Sequence, residues 1–135
     1  MSPSSIIIGS PIETICAICE EVASEIHMST YVETEIEDFL LAIQENDYVA
    51  IIFDLDMKGI EAVKTIRLIR RMRPKIPLIV IATKLNKNIG GQILNEGVFH
   101  IIVSPPSKES LRTALDAVSK AFLKNNVKHS YSKRC

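Results

Sequence analysis

Hydrophobic positions along this chain fall into two patterns, short runs of β-forming residues and longer stretches with helical spacing. The short runs predict five strands, at residues 6–8, 29–33, 48–53, 77–82 and 100–103. The spaced stretches predict five helices, at residues 11–27, from 34 onward, at 59–73, at 88–96 and from 107 onward. Most strands are continuously apolar, so both of their faces are expected to be buried. We therefore predict a single-domain, doubly wound α/β fold, with a parallel sheet between two layers of helices.

Polar residues at the predicted helix starts support these assignments. Ser10 and Glu13 have the spacing of a capping box at the first helix, and Thr34 and Glu37 have it at the second. Ser107 is the predicted cap of the last helix.

Length and composition agree with one domain. The chain has 135 residues, of which 47% are hydrophobic and 24% are charged, as in an ordinary globular protein. The domain is predicted to span residues 1–123, and the polar, basic residues 124–135 are predicted to form a disordered tail. No apolar run approaches the ~20 residues that cross a bilayer, and no basic segment typical of a secretion signal precedes the first isoleucines. We expect a cytoplasmic protein without a membrane partner.

Two of the cysteines, Cys16 and Cys19, have the spacing of a redox-active pair. Both fall inside the first predicted helix, on its apolar side, where no free backbone N–H groups lower the pKa of a thiol. We therefore interpret them as buried core residues.

Charge is divided between the two halves of the chain, although the formal net charge is zero. Residues 1–61 contain thirteen acidic residues and one lysine, whereas residues 62–135 contain fifteen basic and three acidic residues. This asymmetry indicates electrostatic recognition of a partner. The basic run at residues 67–75 is either the solvated face of a helix or a phosphate contact. Because no aromatic residues interleave with its arginines, we favour the solvated face and expect no direct nucleic-acid binding.

Candidate functional residues follow from the fold, because sites in open parallel sheets lie beyond the carboxyl ends of the strands. The residues at these ends are Gly9, Ser10, Asp54, Ala82, Thr83, Ser104 and Pro105. Asp54 is carried by the segment IIFDLDMKGIEAV, residues 51–63. Asp54 is either a nucleophile or the remnant of one, a residue that keeps its position but no longer reacts.

The segment around Asp54 and the segment NEGVFHIIVSPPS, residues 95–107, resemble the receiver domain of bacterial two-component response regulators. The resemblance is most specific in the spacing of one aspartate, two glycines and one proline, namely Asp54, Gly59, Gly97 and Pro105. It implies a flavodoxin-like fold with strand order 2-1-3-4-5 and a cis peptide bond before Pro105. It also implies phosphorelay signal transduction rather than enzymatic activity, with Asp54 at the phosphoacceptor position.

The rest of the family's reaction site differs in this chain. A phosphoacceptor aspartate works with an acidic pair that holds Mg²⁺, and with a hydroxyl and a lysine that stabilise the transferred charge. By resemblance, the acidic pair falls on Gly9 and Ser10, the hydroxyl on Ala82, the lysine on Ser104 and the switch aromatic on Ile101. A shift of one residue in the fourth strand would return a hydroxyl through Thr83. We interpret Asp54 as a remnant in a degenerate pocket and expect no metal or other cofactor. Mg²⁺ would be needed only if Asp54 is phosphorylated.

Asp56 follows Asp54 by two residues. It is either a substitute metal ligand or, as we expect, it points away from the centre of the pocket and pairs with Lys58 or Lys84.

These features lead to the hypothesis of a pseudo-receiver, a signalling domain that acts by protein–protein interaction without phosphorylation. An active phosphoacceptor receiver, phosphorylated on Asp54, and a small flavodoxin-like ligand binder are the alternatives. The resemblance implies a signalling partner or a second copy bound through the fourth helix, the fifth strand and the fifth helix.

The charge division gives this partner hypothesis an electrostatic form. With the implied strand order, the acidic first and second helices would lie towards one edge of the sheet and a basic partner face towards the other, unless both edges are merely solvated. The residues of that basic face are Lys87, Lys108, Arg112, Lys120 and Lys124.

Overall fold

All ten predicted helices and strands are present in a computed structural model, which describes residues 4–57, 59, 61–83 and 87–133, and all their side chains except those of residues 87 and 122–133. The strands are β1 (Ser5–Gly9), β2 (Ser29–Glu33), β3 (Ala50–Asp54), β4 (Leu78–Ala82) and β5 (His100–Val103). The helices are α1 (Glu13–Glu25), α2 (Ile36–Glu45), α3 (Ala62–Met72), α4 (Lys87–Asn95) and α5 (Lys108–Lys133). β2 and β5 have the predicted bounds, and no other strand limit differs from prediction by more than two residues.

The five strands pair in parallel in the order β2-β1-β3-β4-β5, which confirms the predicted topology. Gly9 at the end of β1 lies opposite Phe53, and Asp54 at the end of β3 lies opposite Ile81 of β4. β1 and β3 are therefore central neighbours whose carboxyl ends meet. β2 and β5 form the two edges.

Each face of the sheet packs against a hydrophobic core of its own. One core joins alternate strand residues such as Ile8 and Ile52 to α1 and α5. The other joins the intervening residues, such as Phe53, to α2, α3 and α4. Because successive strand side chains point to opposite faces, the continuous apolar runs fill both cores.

Two of the three predicted helix caps are wrong. α1 begins at Glu13 after Ile12, and α2 begins at Ile36 after Glu35, and neither preceding residue makes a side-chain capping hydrogen bond. Ser10 lies two residues before the N-cap residue Ile12; its Oγ accepts a hydrogen bond of 3.1 Å from the Ile12 amide and also makes a tertiary contact. Ser107 was predicted correctly, since its Oγ accepts a hydrogen bond from the Ser110 amide at 3.0 Å.

Three backbone features support the turns beyond the sheet. Gly59 and Gly97 have φ angles of +79° and +83°, a conformation that residues with a Cβ rarely adopt. The Ser104–Pro105 peptide bond is cis, as predicted.

α5 is longer than the sequence indicated. The structure continues this helix to Lys133, so residues 124–133, which were predicted to be a disordered tail, belong to it. The sequence after Ser107 contains neither proline nor glycine, so no residue there stops the helix. Among the residues that the structure describes, no helix is long and apolar enough to span a membrane.

Candidate functional site

The carboxylate of Asp54 is enclosed at the junction of β1 and β3. Asp54 and Ser10 are both 0% exposed, and the Ser10 hydroxyl donates a hydrogen bond of 2.6 Å to Asp54 Oδ2. The other carboxylate oxygen, Oδ1, accepts a hydrogen bond of 2.9 Å from the backbone amide of Asp56. Each oxygen of the central aspartate is thus engaged by a group of the protein itself.

Burial alters the acidity of this carboxyl group. Loss of solvation raises the pKa of Asp54 above its ordinary value of 3.8, while the hydrogen bonds from Ser10 and from the Asp56 amide act in the opposite direction. Burial is the larger effect. The protein therefore holds the charged form of Asp54 less readily than water does.

Gly9 precedes Ser10 and has an aromatic ring where its side chain would be. A Cβ built on Gly9 would lie 2.7 Å from Cδ1 and Cε1 of Phe39 and 2.8 Å from Cγ. Phe39 belongs to α2, is 0% exposed and stacks on Phe53 with a centroid distance of 5.6 Å. On this face of the sheet, the end of β1 is therefore part of the hydrophobic core.

Asp56 and Thr83 lie at the exposed mouth of this site. The Thr83 hydroxyl donates a hydrogen bond of 2.6 Å to Asp56 Oδ2, which joins the loop after β3 to the loop after β4. This contact was not predicted, and Lys58 and Lys84, the expected partners of Asp56, lie outside the described residues. Ala82 is the last residue of β4, opposite Val103 and 1% exposed, so Thr83 comes after the strand. The register of β4 therefore places Ala82, and not Thr83, at the end of the strand.

The other candidate positions belong to the turn after β5 and to β5 itself. The Ser104 amide donates a hydrogen bond of 2.8 Å to the Ala82 carbonyl, so it continues the pairing with β4. Pro105 is exposed, and Ile101 packs against the core beneath α2, α3 and α4. Ile101 thus provides an apolar contact at the position where the resemblance expected an aromatic one.

A family model for the response regulator receiver domain matches residues 12–116. The chain belongs to this family. Receiver domains are signalling domains. The match confirms the family that the sequence analysis identified. The matched region begins after Gly9 and Ser10, the two positions that depart from the acidic pair.

Solved receiver structures share this fold over most of the chain. A two-component response regulator from Clostridium difficile has 17% sequence identity and a TM-score of 0.79, covering 87% of this chain and 96% of that one. A receiver domain protein from Methanospirillum hungatei JF-1 has 17% identity and a TM-score of 0.76, covering 89% and 99%. A response regulator from Burkholderia pseudomallei, with a phosphorylated aspartic acid, a calcium ion and citrate, has 13% identity and a TM-score of 0.74, covering 93% and 74%. No curated protein sequence matches the chain.

Mg²⁺, which active receiver domains commonly bind, prefers octahedral oxygen ligands that include one or two carboxylates. In this receiver domain both oxygens of Asp54 accept internal hydrogen bonds, and the Ser10 hydroxyl is committed to one of them. Gly9 supplies no side chain. In the part of the chain that the structure describes, no three His, Cys, Asp or Glu side chains are placed to hold a metal ion. This set of donors does not fit Mg²⁺.

The two cysteines of α1 are buried in the core of the receiver domain, as predicted. Burial raises the pKa of the Cys19 thiol to about 12 and also raises that of Cys16. Because the thiolate is the reactive form, neither residue has the acidity of a redox-active cysteine.

Arg67 and Arg71 of the basic run are exposed, as expected for a solvated face, but three arginines of the run also bind the receiver domain itself. Arg73 donates hydrogen bonds to the carbonyls of Ile43, Gln44 and Asn46 at the end of α2, at 2.9, 3.0 and 3.0 Å. Arg70 donates in the same way to the carbonyls of Pro74 and Ile76, at 2.7 Å each. Arg67 pairs with Glu96 of the loop after α4 at 2.9 Å. These arginines tie α3 to neighbouring segments.

The predicted separation of an acidic edge from a basic edge is wrong for α1 and α5. These two helices pack on the same face of the sheet. Lys108 pairs with Glu21 at 2.6 Å and with Glu25 at 3.6 Å, and Arg112 pairs with Glu25. Two members of the expected basic partner face are therefore engaged within the domain. Strand order alone did not reveal this, because helices at different places in the chain can share one face.

Exposed apolar side chains lie along α4 and β5, where the resemblance implied a contact but the sequence analysis expected basic residues. Among the described residues, seven large apolar side chains are exposed, and four of them fall between positions 89 and 103. We call Leu94, Phe99 and Val103 the α4–β5 apolar surface; their exposed fractions are 61%, 39% and 64%. The sequence carried one weak signal, an apolar run at the last strand, whose edge position leaves Val103 uncovered.

Proposed function

We propose that this receiver domain signals without being phosphorylated and acts by binding another protein. The observation that carries the proposal is the enclosure of Asp54, which is 0% exposed and has both oxygens hydrogen-bonded to Ser10 and to the Asp56 amide. An attacking carboxylate must reach a phosphoryl group, and the charge of that group must be stabilised by a cation or by preorganised donors. The residues around Asp54 provide neither access nor a Mg²⁺ site.

The exposed residues of α4 and β5 support binding as the activity that is left. Large apolar side chains exposed to water mark protein–protein contacts when they form a patch, and Leu94, Phe99 and Val103 lie close together in the sequence, on or beside α4 and β5. We propose that the α4–β5 apolar surface contacts a signalling partner or a second copy of the domain. This contact keeps the elements implied by the family resemblance, the fourth helix and the fifth strand. Binding is proposed to depend mainly on apolar side chains and not on basic ones, because Lys108 and Arg112 are paired with α1.

The alternative is a phosphoacceptor receiver that is phosphorylated on Asp54. It is favoured by the position of Asp54 at the carboxyl end of β3, in a family whose Burkholderia pseudomallei member carries a phosphorylated aspartic acid. A phosphate on Asp54 would require the Ser10 hydrogen bond to break and the side chain to become accessible. A small flavodoxin-like ligand binder has no comparable supporting observation. A bacterial origin and a cytoplasmic location stay predictions.

Incubation with a small phosphodonor and Mg²⁺, followed by intact-mass measurement, tests the proposal. We expect no mass increase for the wild-type chain. A phosphorylatable receiver domain treated in parallel serves as the positive control. An increase of one phosphate in the wild type, absent from Asp54→Asn, would establish the phosphoacceptor alternative.

A further inference from the structure

Phe39 lies so close to Gly9 that it leaves no room for a side chain at residue 9. Non-bonded carbon atoms normally stay about 3.5–4.0 Å apart. A Cβ on Gly9 would lie 2.7 Å from two ring atoms of Phe39 and 2.8 Å from a third, closer than real Cβ atoms approach. Any side chain at residue 9, including the aspartate or glutamate of an acidic pair, therefore requires the ring to move.

The ring has little freedom to move. Phe39 is 0% exposed and stacks on Phe53, and Phe53 itself lies opposite Gly9 in the sheet. These residues belong to the core that also includes Ile43, Ile66 and Ile69 on α2 and α3. Protein interiors are packed as densely as organic crystals, so the ring can be displaced only if its core neighbours repack.

Residue 10 is closed by a different interaction. Successive residues of a strand point to opposite faces, and the Ser10 side chain meets Asp54 where Gly9 meets Phe39. An aspartate in place of Ser10 would bring a second buried carboxylate against Asp54, and such like charges repel strongly without a cation. Position 9 is thus closed by packing, whereas an aspartate at position 10 would repel Asp54 only as long as no cation is bound.

We infer that Phe39 prevents this receiver domain from regaining a Mg²⁺ site, so that acidic residues at positions 9 and 10 do not restore the ion unless the Phe39 ring is also removed. This inference rests on the proposed phosphorylation-independent function and deepens it. The loss of the metal is built into the packing of α2 and does not depend only on two replaced residues.

A double-mutant cycle tests the packing step. The thermal midpoint Tm is measured for the wild type, Gly9→Ala, Phe39→Leu and the double variant. We expect Gly9→Ala to lower Tm by at least about 4 °C in the wild type. In the Phe39→Leu background, which lacks the planar ring, Gly9→Ala should lower Tm by no more than half as much. Gly91→Ala is the matched control, since a Cβ there meets nothing within 4 Å.

Isothermal titration with Mg²⁺ tests the metal step. Gly9→Asp/Ser10→Asp is compared with the same pair in the Phe39→Leu background. We expect the triple variant to bind Mg²⁺ at least tenfold more tightly, or to fold where the double variant does not. Equal binding by two folded variants would overturn the inference. If neither variant folds, the Gly9→Ala cycle decides it, and additive Tm changes there would likewise overturn it.

Failure of this inference is distinguishable from failure of the proposed function. Phosphorylation of the wild-type chain contradicts the proposed function whatever the cycle gives. An additive cycle with an unphosphorylated wild type contradicts only the role of Phe39.

Discussion

The Asp54 pocket and the α4–β5 apolar surface reverse the usual placement of polar and apolar groups. Polar residues are mostly exposed and large apolar ones mostly buried. Here Asp54 and Ser10 are 0% exposed, whereas Leu94 and Val103 are 61% and 64% exposed. The buried polar groups form hydrogen bonds with each other. The exposed apolar side chains of Leu94 and Val103, in contrast, are left largely in contact with water in the described domain. In the proposed function, interaction with other molecules takes place at the edge of the sheet and not in the pocket.

Replacement of Phe39 should have the largest effect, because it removes the buried ring that packs against Gly9 at the end of β1. Phe39→Ala is expected to lower the free energy of unfolding by about 3–5 kcal/mol, as for other buried aromatic residues. Urea denaturation measures it. Leu41→Ala on the same helix, where the side chain is 51% exposed, should change that energy by less than about 0.5 kcal/mol. Similar losses in both variants would show that Phe39 is not part of the core.

Charged residues on the α4–β5 apolar surface test the other region. Leu94→Glu/Val103→Glu should weaken self-association or binding of a signalling partner at least tenfold, about 1.4 kcal/mol, with little change in Tm. Sedimentation over a concentration series measures self-association. Leu41→Glu and Leu68→Glu, at sites that are 51% and 46% exposed, are the controls. A wild type that stays monomeric contradicts the homodimer form, and equal weakening by the controls contradicts the choice of surface.

Asp54→Asn tests whether burial of the carboxylate is costly. The folded-state pKa of Asp54 is raised above 3.8, so its contribution to stability is present below that value and is lost as pH rises through the raised pKa. Asparagine keeps the shape without the charge. The variant should therefore gain stability over the wild type as pH rises, which urea unfolding at about pH 3.5 and about pH 7 measures. A stability difference independent of pH would contradict this account of the pocket.

Ser10→Ala provides the companion measurement. It removes a hydrogen bond that lowers the pKa of Asp54, so the loss of stability should extend to higher pH than in the wild type.

The smallest effect is expected from the ion pairs between α1 and α5. Lys108 and its partner Glu21 are about half exposed, at 52% and 54%, and exposed pairs contribute only ~0–1 kcal/mol. Lys108→Ala should lower Tm slightly at low salt and less at high salt. Partner binding should be unchanged if the apolar side chains dominate. A large, salt-dependent loss of binding would instead restore the basic face as the determinant.

The family and the outline of the fold were accessible from the sequence because they depend on periodic patterns. Five apolar strands, helical spacing between them and the segment around Asp54 identified a receiver fold, and the family match confirmed it. The two buried cysteines were also predicted correctly, since helical spacing places them on the apolar side of α1. The helix cap at Ser10 was predicted wrongly because its hydroxyl donates to Asp54, a tertiary hydrogen bond that a sequence does not display. The cap at Thr34 was also wrong, since α2 begins only at Ile36.

The sequence by itself determined where the strands end, and so brought Asp54, Gly9 and Ser10 to one place. Only the tertiary structure decided what these residues do there. Nothing close to Gly9 in the sequence excludes a side chain there, but the ring of Phe39, thirty positions away, packs onto it and does. The charge division likewise suggested two edges, whereas packing set Lys108 against Glu21 on one face. The physical reason is the same in both cases: hydrophobic periodicity fixes which residues are buried, but contacts between distant segments fix which group each buried or charged side chain meets.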